Sequence, residues 1–512
     1  MLVQKIAITM LAVIAVAGSH PANAAQTARD EVPNTSCQGA VHTEAIDLWE
    51  SRLRHYFTAQ IKEGLNRDGD VYVLYNTQEE LQSFVEMTRR CRDTKQIEEL
   101  VDLLALSFDS LRPLPGDSTA LAWVCTGGNT CTSVNQLLGK EVPLCSAQFL
   151  GLLGALATTI VETIPAKQRT AAENAFVAST ASTLATHLDR WLSTPYAGSV
   201  LYRLRINPTA VVSGLSNYFF TDRDLWYMTG LSDLAELQRA GAPLDQAGKA
   251  AFTSLTGKAT TIASMFDLFL ARTSLFSGPH GQRAEIDRGY WRKYADFKYA
   301  LYTGATSPVL CQKGVTGAMQ KTYRMQALDS YIDPGMGWDI SHARRLVPAL
   351  DTFIRNRQTL KAAFGYDNPH FDPVALQRAF ANQIVAKIWN QDLQHPLFSN
   401  FWDGNNGWYR AGYENGTGGC RPGEAPYSLG WSFPTGGYLQ WGDVNGTIRS
   451  LGMGLYKLIH ATDSASMTFI AMRYPQMRMT IRAKDSAVTT QEIWSLSFLA
   501  DLVDIPSNSS RG

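Results

Sequence analysis

Apolar side chains at Ile46, Trp49, Leu53, Phe57 and Ile61 recur at steps of three and four, which defines one face of a helix. The spacing returns in Tyr290, Tyr294, Phe297 and Leu301, and again in Leu376, Phe380, Ile384 and Ile388. Asp372 and Pro373 open this last stripe: a capping carboxylate, then a residue whose missing N–H costs nothing at the first helical position. Similar patterning predicts helices near residues 77–110, 146–164, 168–193, 222–240, 246–272, 315–331, 342–357, 437–461 and 489–503. Period-two alternation is rare, and short strand pairs are expected only around residues 71–75 and 467–481. Ala197-Gly198-Ser199, Ser277-Gly278-Pro279-His280 and Asp367-Asn368-Pro369 supply turns between helices. The fold class is therefore mainly α, built from antiparallel helical hairpins. No strict repeat of solenoid length is visible. The hairpins admit an irregular bundle or an α/α toroid, and the toroid is preferred because it gathers long loops at one funnel mouth.

One interval breaks the helical pattern. Residues 395–437 carry ten glycines and nine aromatics, including Trp402, Trp408, Tyr409, Tyr413 and Trp431, threaded with Asp403, Asn405, Asn406, Arg410 and Glu414. Loops this long are disordered or functional, and disordered segments are poor in aromatics. Rings beside amides and carboxylates suit a surface that stacks on sugar faces and bonds their hydroxyls. The alternative is a loop that packs its own aromatics as a small core.

A short basic start at Lys5, an apolar run and Ala22-Asn23-Ala24 follow the three-part pattern of a secretory signal peptide, residues 1–24. The remaining 25–512 is expected to be a single helical domain, exported to a periplasm or the medium, with no membrane span. The 46 basic and 46 acidic residues cancel, and loss of Lys5 with the leader leaves −1. Nucleic acid needs a clustered basic surface and is not expected as a partner. Seven cysteines in an exported chain imply disulfides with one thiol left over. Cys125 and Cys131 flank a flexible Thr-Gly-Gly-Asn-Thr turn and are expected to pair, and Cys311 with Cys420 would tie the aromatic loop down. No two cysteines have a two-to-four residue gap and the histidines are scattered, so no metal or cofactor is expected.

A second segment carries candidate chemistry. A glycine-rich turn from Asp333 delivers Trp338 and Asp339 to a helix start, where Asp339, His342 and Arg345 follow at three-residue steps. A histidine near a helix N-terminus is biased toward neutral imidazole, a usable proton acceptor. The plain reading of the same residues is an N-cap, a packing histidine and a solvated arginine.

A capped His/Arg helix start followed by Asp403-Gly404-Asn405-Asn406-Gly407-Trp408-Tyr409-Arg410 resembles, in residue types and order of elements, the sites of toroidal polysaccharide lyases. The resemblance implies β-elimination of a uronic-acid polymer: Asn405 or Asn406 with Arg345 or Arg410 neutralises the substrate carboxylate, and His342 or Tyr409 moves the proton. Trp338, Trp402, Trp408, Tyr413, Trp431 and Trp441 would line the substrate path. Toroidal glycoside hydrolases offer a competing chemistry in which paired carboxylates, drawn from Asp339, Asp403, Glu414 and Asp443, carry inverting hydrolysis. Asp443 is read just inside a helix start. A third reading has no catalysis, only glycan or envelope binding through the rings. Phosphate-loop, nucleophile-elbow, dinucleotide and His-Glu-x-x-His motifs are absent from the sequence.

Overall fold

The four-residue step that opens the chain has a direct structural answer. Val41, Ala45, Trp49, Leu53, Phe57, Ile61 and Leu65 are all buried along one continuous helix, α1, residues 40–67. Four residues overshoot an α turn by about 40°, so a strict four-residue stripe would wind around an α-helix. Here α turns alternate with wider π turns at Trp49–Leu53 and Gln60–Arg67, which brings the stripe back to one face.

The computed structural model describes residues 33–206, 219–288, 298–314, 319–324, 328–331, 333, 335–413, 419–477 and 487–503. After α1 come α2 (Tyr72–Cys91), α3 (Thr94–Ala105), the hairpin β1 (Leu111–Leu114) and β2 (Asp117–Trp123), α4 (Pro143–Thr163), α5 (Ala171–Trp191) and α6 (Thr194–Arg205). Then follow α7 (Asp222–Arg239), α8 (Gln246–Thr256), α9 (Ala259–Arg272), the hairpin β3 (Thr273–Gly278) and β4 (Gly281–Ile286), and the hairpin β5 (Val309–Lys313) and β6 (Met319–Tyr323). The rest is α10 (Ile340–Ala343), α11 (Leu346–Arg355), α12 (Arg357–Phe364), α13 (Pro373–Gln383), α14 (Ser432–Thr435), α15 (Gly446–Ile459), α16 (Ser464–Arg473) and α17 (Thr490–Leu502). The protein is mainly helical, and residues 34–512 form one unit.

Two kinds of helix divide the work. In α4 every residue from Cys145 to Ile160 is buried, in α7 every residue from Asp224 to Leu237, and in α17 every residue from Ile493 to Leu502. A helix covered on all sides must have neighbours all around it. Indeed α2 packs on α4, α4 on α7, α7 on α11, α11 on α13, α13 on the 3-10 turn Tyr438–Asp443, that turn on α17, and α17 on α2 again. Helices buried on one side, such as α8 and α15, pack outside these. By length and composition α4 is apolar enough to cross a bilayer, yet 89% of its apolar window is buried inside the protein. Its approach to α7 is set by glycine: a Cβ at Gly151 would lie 2.5 Å from the Trp226 ring, and one at Gly154 2.6 Å from Asp233 Oδ2.

Several expected elements need correction. Residues 71–75 start α2 rather than a strand, because Asp70 Oδ1 accepts the Tyr72 N–H at 3.1 Å and turns the chain into the helix. Residues 464–473 form α16, capped by Asp463 through Ser466 N–H at 2.9 Å, where a strand was expected from 467; residues 478–481 lie outside the described ones. The helix expected at 315–331 is replaced in its described part by β6, paired antiparallel with β5, and a 3-10 turn at Leu328–Tyr331. Pairing with a neighbouring strand overrides local preference there. The helix expected over 77–110 breaks at Arg92, in the left-handed conformation, and that over 246–272 breaks at Gly257-Lys258. The helix expected at 437–461 is the 3-10 turn Tyr438–Asp443 followed by α15, capped by Asn445. Tyr290, Tyr294 and Phe297 lie outside the described residues, as do residues 1–32, which include the expected signal peptide at 1–24.

Three disulfides form: Cys37–Cys91, Cys125–Cys131 and Cys311–Cys420. Cys145 is the free thiol among the described residues, buried in α4. This usage fits a non-cytosolic, oxidising location.

Candidate functional site

The two segments singled out in the sequence meet through their backbones. Trp402 N–H donates to Trp338 O at 2.8 Å and Ile340 N–H to Asn400 O at 2.9 Å, so the Asp339 segment runs antiparallel to the start of the aromatic loop. That pairing fixes Asp339 with its side chain fully buried. Its Oδ1 accepts from Ser341 N–H at 2.9 Å, His342 N–H at 3.1 Å and the Ser341 hydroxyl at 2.5 Å, capping α10. Its Oδ2 lies 2.6 Å from His342 Nδ1. Burial pushes the Asp339 carboxyl up, but His342 and Ser341 outweigh it and hold the group well below the usual carboxylate range. An ionised Asp339 keeps the proton on Nδ1, which leaves Nε2 as the acceptor nitrogen of the neutral ring. The His342 side chain is 27% exposed, and no partner among the described residues holds Nε2.

Around this pair the first turns of several helices converge. Arg345, 4% exposed, touches the Tyr75 hydroxyl of α2 and lies 3.4 Å from Gln148 Oε1 of α4 and 3.6 Å from Asp222 Oδ2 of α7. Glu79 of α2 takes Arg344 on one side and Arg345, at 3.5 Å, on the other. Burial pushes Glu79 up, and the two guanidinium groups reverse this, keeping it ionised. Burial and the Glu79 charge push neighbouring Glu80 up to about 8. A partly open pocket lined by Gln78, Gln82, Trp226, Arg344, Arg345 and Gly437 lies beside these charges. Arg410 stacks over Tyr409 and Tyr413, 5.2 and 4.8 Å from their ring centres, and its charge is felt at Asp339. Tyr413 in turn is electrostatically coupled to Tyr72.

Most of the predicted sugar-stacking rings are structural. Trp338, Trp402 and Trp441 are 1%, 0% and 0% exposed, and Trp408 and Tyr409 are also buried. Trp402 donates to Ala284 O at 3.0 Å and stacks on Tyr438, while Trp408 donates to Gly304 O at 2.7 Å. Sealed rings cannot stack on a ligand, so Trp338, Trp402, Trp408 and Trp441 are corrected to core residues, and the ring of Tyr409, expected to move the proton, is buried with them. The loop buries its rings in separate places, Trp402 against α13 and β4 and Trp408 with Tyr299 and Val309, instead of presenting an aromatic platform. Only Tyr413 and Trp431 remain half-buried, and Trp431 packs on Trp494 and Arg344.

The amides are engaged as well. Asn405 Nδ2 donates to Asp333 Oδ2 at 2.6 Å and Asp403 Oδ2 at 2.8 Å. Asn406 Oδ1 accepts from Tyr427 N–H at 2.8 Å and Asn400 N–H at 3.3 Å. Burial, with Asp333 and Glu285 nearby, pushes Asp403 up to about 7 against the opposing Asn405 bonds. Asp443 closes a 3-10 turn and does not open a helix, three residues before α15 begins. Glu414 lies outside the described residues.

Tyr75, Glu79, Gln148 and Asp222 were not foreseen. The available signal was polar side chains in helices that otherwise read as core, since buried polar groups persist only where partners meet them. The chain matches no protein-family model, no curated protein and no solved structure.

Proposed function

We infer that the protein is an exported enzyme that cleaves a carboxylate-bearing polysaccharide by β-elimination, with His342 as the proton carrier. The observation that carries this reading is the Asp339–His342 pair: a sealed, ionised carboxylate behind a partly exposed imidazole whose Nε2 faces no partner among the described residues. A general base needs this tautomer, orientation and access. His342 Nε2 takes the proton from the carbon next to the substrate carboxylate, the carbon–oxygen bond to the leaving sugar breaks, a double bond forms, and the same nitrogen returns the proton to the leaving oxygen. Arg410, near Asp339, supplies the charge that stabilises the carboxylate as electrons move toward it.

The closed sequence of contacts from α2 through α17 back to α2 supports an α/α toroid with those helices as its inner ring. The first turns of α2, α4, α7 and α17 then form the funnel floor around Arg344 and Arg345, while α13 runs the opposite way and brings its last residue, Gln383, to Trp402 O. Burial of Trp338, Trp402, Trp408 and Trp441 removes ring surface from the binding module and from the lyase's substrate path alike, so the reading rests on the Asp339–His342 pair. Hydrolysis keeps one supporting observation, the Asp403 carboxyl held near neutrality beside Asp333.

The test is incubation of the purified protein with a panel of uronate-containing polysaccharides, followed by mass spectrometry of the products. Elimination gives unsaturated, ultraviolet-absorbing ends that vanish with His342→Ala. Products carrying added water transfer the assignment to hydrolysis, and turnover unchanged in His342→Ala removes the histidine from the mechanism.

A further inference from the structure

Sequence spacing argues against a metal site, but spacing along the chain is not distance in space. At the junction of three elements, Cys91 at the end of α2 is bonded to Cys37, which precedes α1, with Cα atoms 5.3 Å apart. Beside this bridge, His42 Nε2 lies 2.7 Å from Asp93 Oδ2. Ligand atoms of His42, Cys91 and Asp93 all fall within 4.8 Å of one another, and all three residues are half-buried. Asp93 holds the N-cap position of α3, where a carboxylate ordinarily accepts backbone N–H bonds. Its side chain makes no capping bond and turns to His42 instead.

Cys37, whose sulfur is bonded to that of Cys91, adds a second sulfur next to this three-residue group; two sulfurs, one imidazole and one carboxylate are the donor number and type of a closed tetrahedral zinc site. We propose that Cys37, His42, Cys91 and Asp93 bind one zinc ion when the Cys37–Cys91 bond is open. A dithiol reductant supplies two electrons and two protons: the sulfur–sulfur bond breaks, two thiols form, and the dithiol closes to its own disulfide. Zinc then displaces both thiol protons and takes two thiolate sulfurs, one imidazole nitrogen and one carboxylate oxygen. The sulfurs part from bonding distance to about 3.8 Å, the separation of two zinc-bound thiolates with Zn–S of about 2.3 Å. The same junction is thus held by a covalent bridge under oxidising conditions and by a metal under reducing ones. This assignment is independent of the proposed catalysis.

Cobalt(II) is the probe. The full chain, reduced by dithiol and freed of it under anaerobic conditions, is titrated with cobalt and followed by absorbance. One equivalent is expected to give thiolate-to-cobalt charge-transfer bands and tetrahedral visible bands, neither of which appears in the oxidised chain. Cys37→Ser/Cys91→Ser removes the bands, whereas Cys125→Ser/Cys131→Ser keeps them. His42→Ala retains the disulfide and weakens cobalt binding to the reduced chain at least tenfold. Bands that survive in Cys37→Ser/Cys91→Ser, or equal affinity in His42→Ala, overturn the site. Circular dichroism covers the case in which reduction unfolds the chain: zinc then restores helicity in the wild type and not in His42→Ala, and a failure of zinc to restore it also overturns the proposal.

Discussion

Asp339 is required twice, once to cap α10 and once to hold the His342 ring, so its replacement separates charge from shape. Asp339→Asn keeps an acceptor for the backbone N–H groups but no longer demands a proton on Nδ1; turnover should fall at least a hundredfold while far-ultraviolet circular dichroism is retained. Because its folded pKa is depressed, Asp339 adds stability above about pH 4, the unfolded value, and that stability is lost as pH falls through the folded value. Urea titrations should therefore show a shallower acid limb in Asp339→Asn.

His187 adds to the same loss on acidification, in a higher pH window. It is fully buried, its Nδ1 bonded to Thr183 O at 2.9 Å; burial lowers its pKa to about 4, against the pull of Glu141. The unfolded chain takes up a proton near pH 6.5 that the folded chain refuses, so stability declines from about pH 6.5 to about pH 4 by roughly 3 kcal/mol. His187→Gln should flatten the urea midpoint between pH 7 and pH 5, and an unchanged slope would reassign acid sensitivity to other groups.

Among the helices, two glycines offer a matched comparison. Gly151 of α4 faces the Trp226 ring with no room for a methyl group, and Gly151→Ala should destabilise by about 1–3 kcal/mol. Gly198 of α6 meets nothing within 4 Å, so Gly198→Ala should be neutral or stabilise by about 0.5–1 kcal/mol. Thermal melts of both variants test whether the α4–α7 contact is as tight as the geometry indicates. Much at this scale was legible in advance. Asp372 and Pro373 marked the start of α13, and helices were legible near residues 146–164 and 222–240, where α4 and α7 lie. Residues 71–75 were misread because alternating Val and Tyr also fits a helix start once Asp70 turns the chain. The aromatic loop was misread because composition counts rings without saying which way they face. Tyr75, Gln148 and Asp222 sit on three helices and become neighbours only when those helices pack around Arg345.

Across the molecule, the disulfides act over very different lengths of chain. Cys311–Cys420 joins residues 109 apart and Cys125–Cys131 residues six apart. If each works by restricting the unfolded chain, the longer one contributes about 2–3 kcal/mol more. Cys311→Ser/Cys420→Ser should then lower the melting temperature further than Cys125→Ser/Cys131→Ser, and should expose residues 409–424 to proteolysis first. Equal shifts would mean that native-state contacts, not chain entropy, dominate at both bridges.

The odd sulfur of Cys145 has a practical consequence. Burial in α4, reinforced by Asp70 and Asp222, pushes its thiol up to about 12, so almost none of it is thiolate at neutral pH. An alkylating dye added to the oxidised protein will find no reactive partner until the interior opens. The molecule thereby carries its own gauge of integrity: colour uptake per chain reads directly how much of a preparation has come apart.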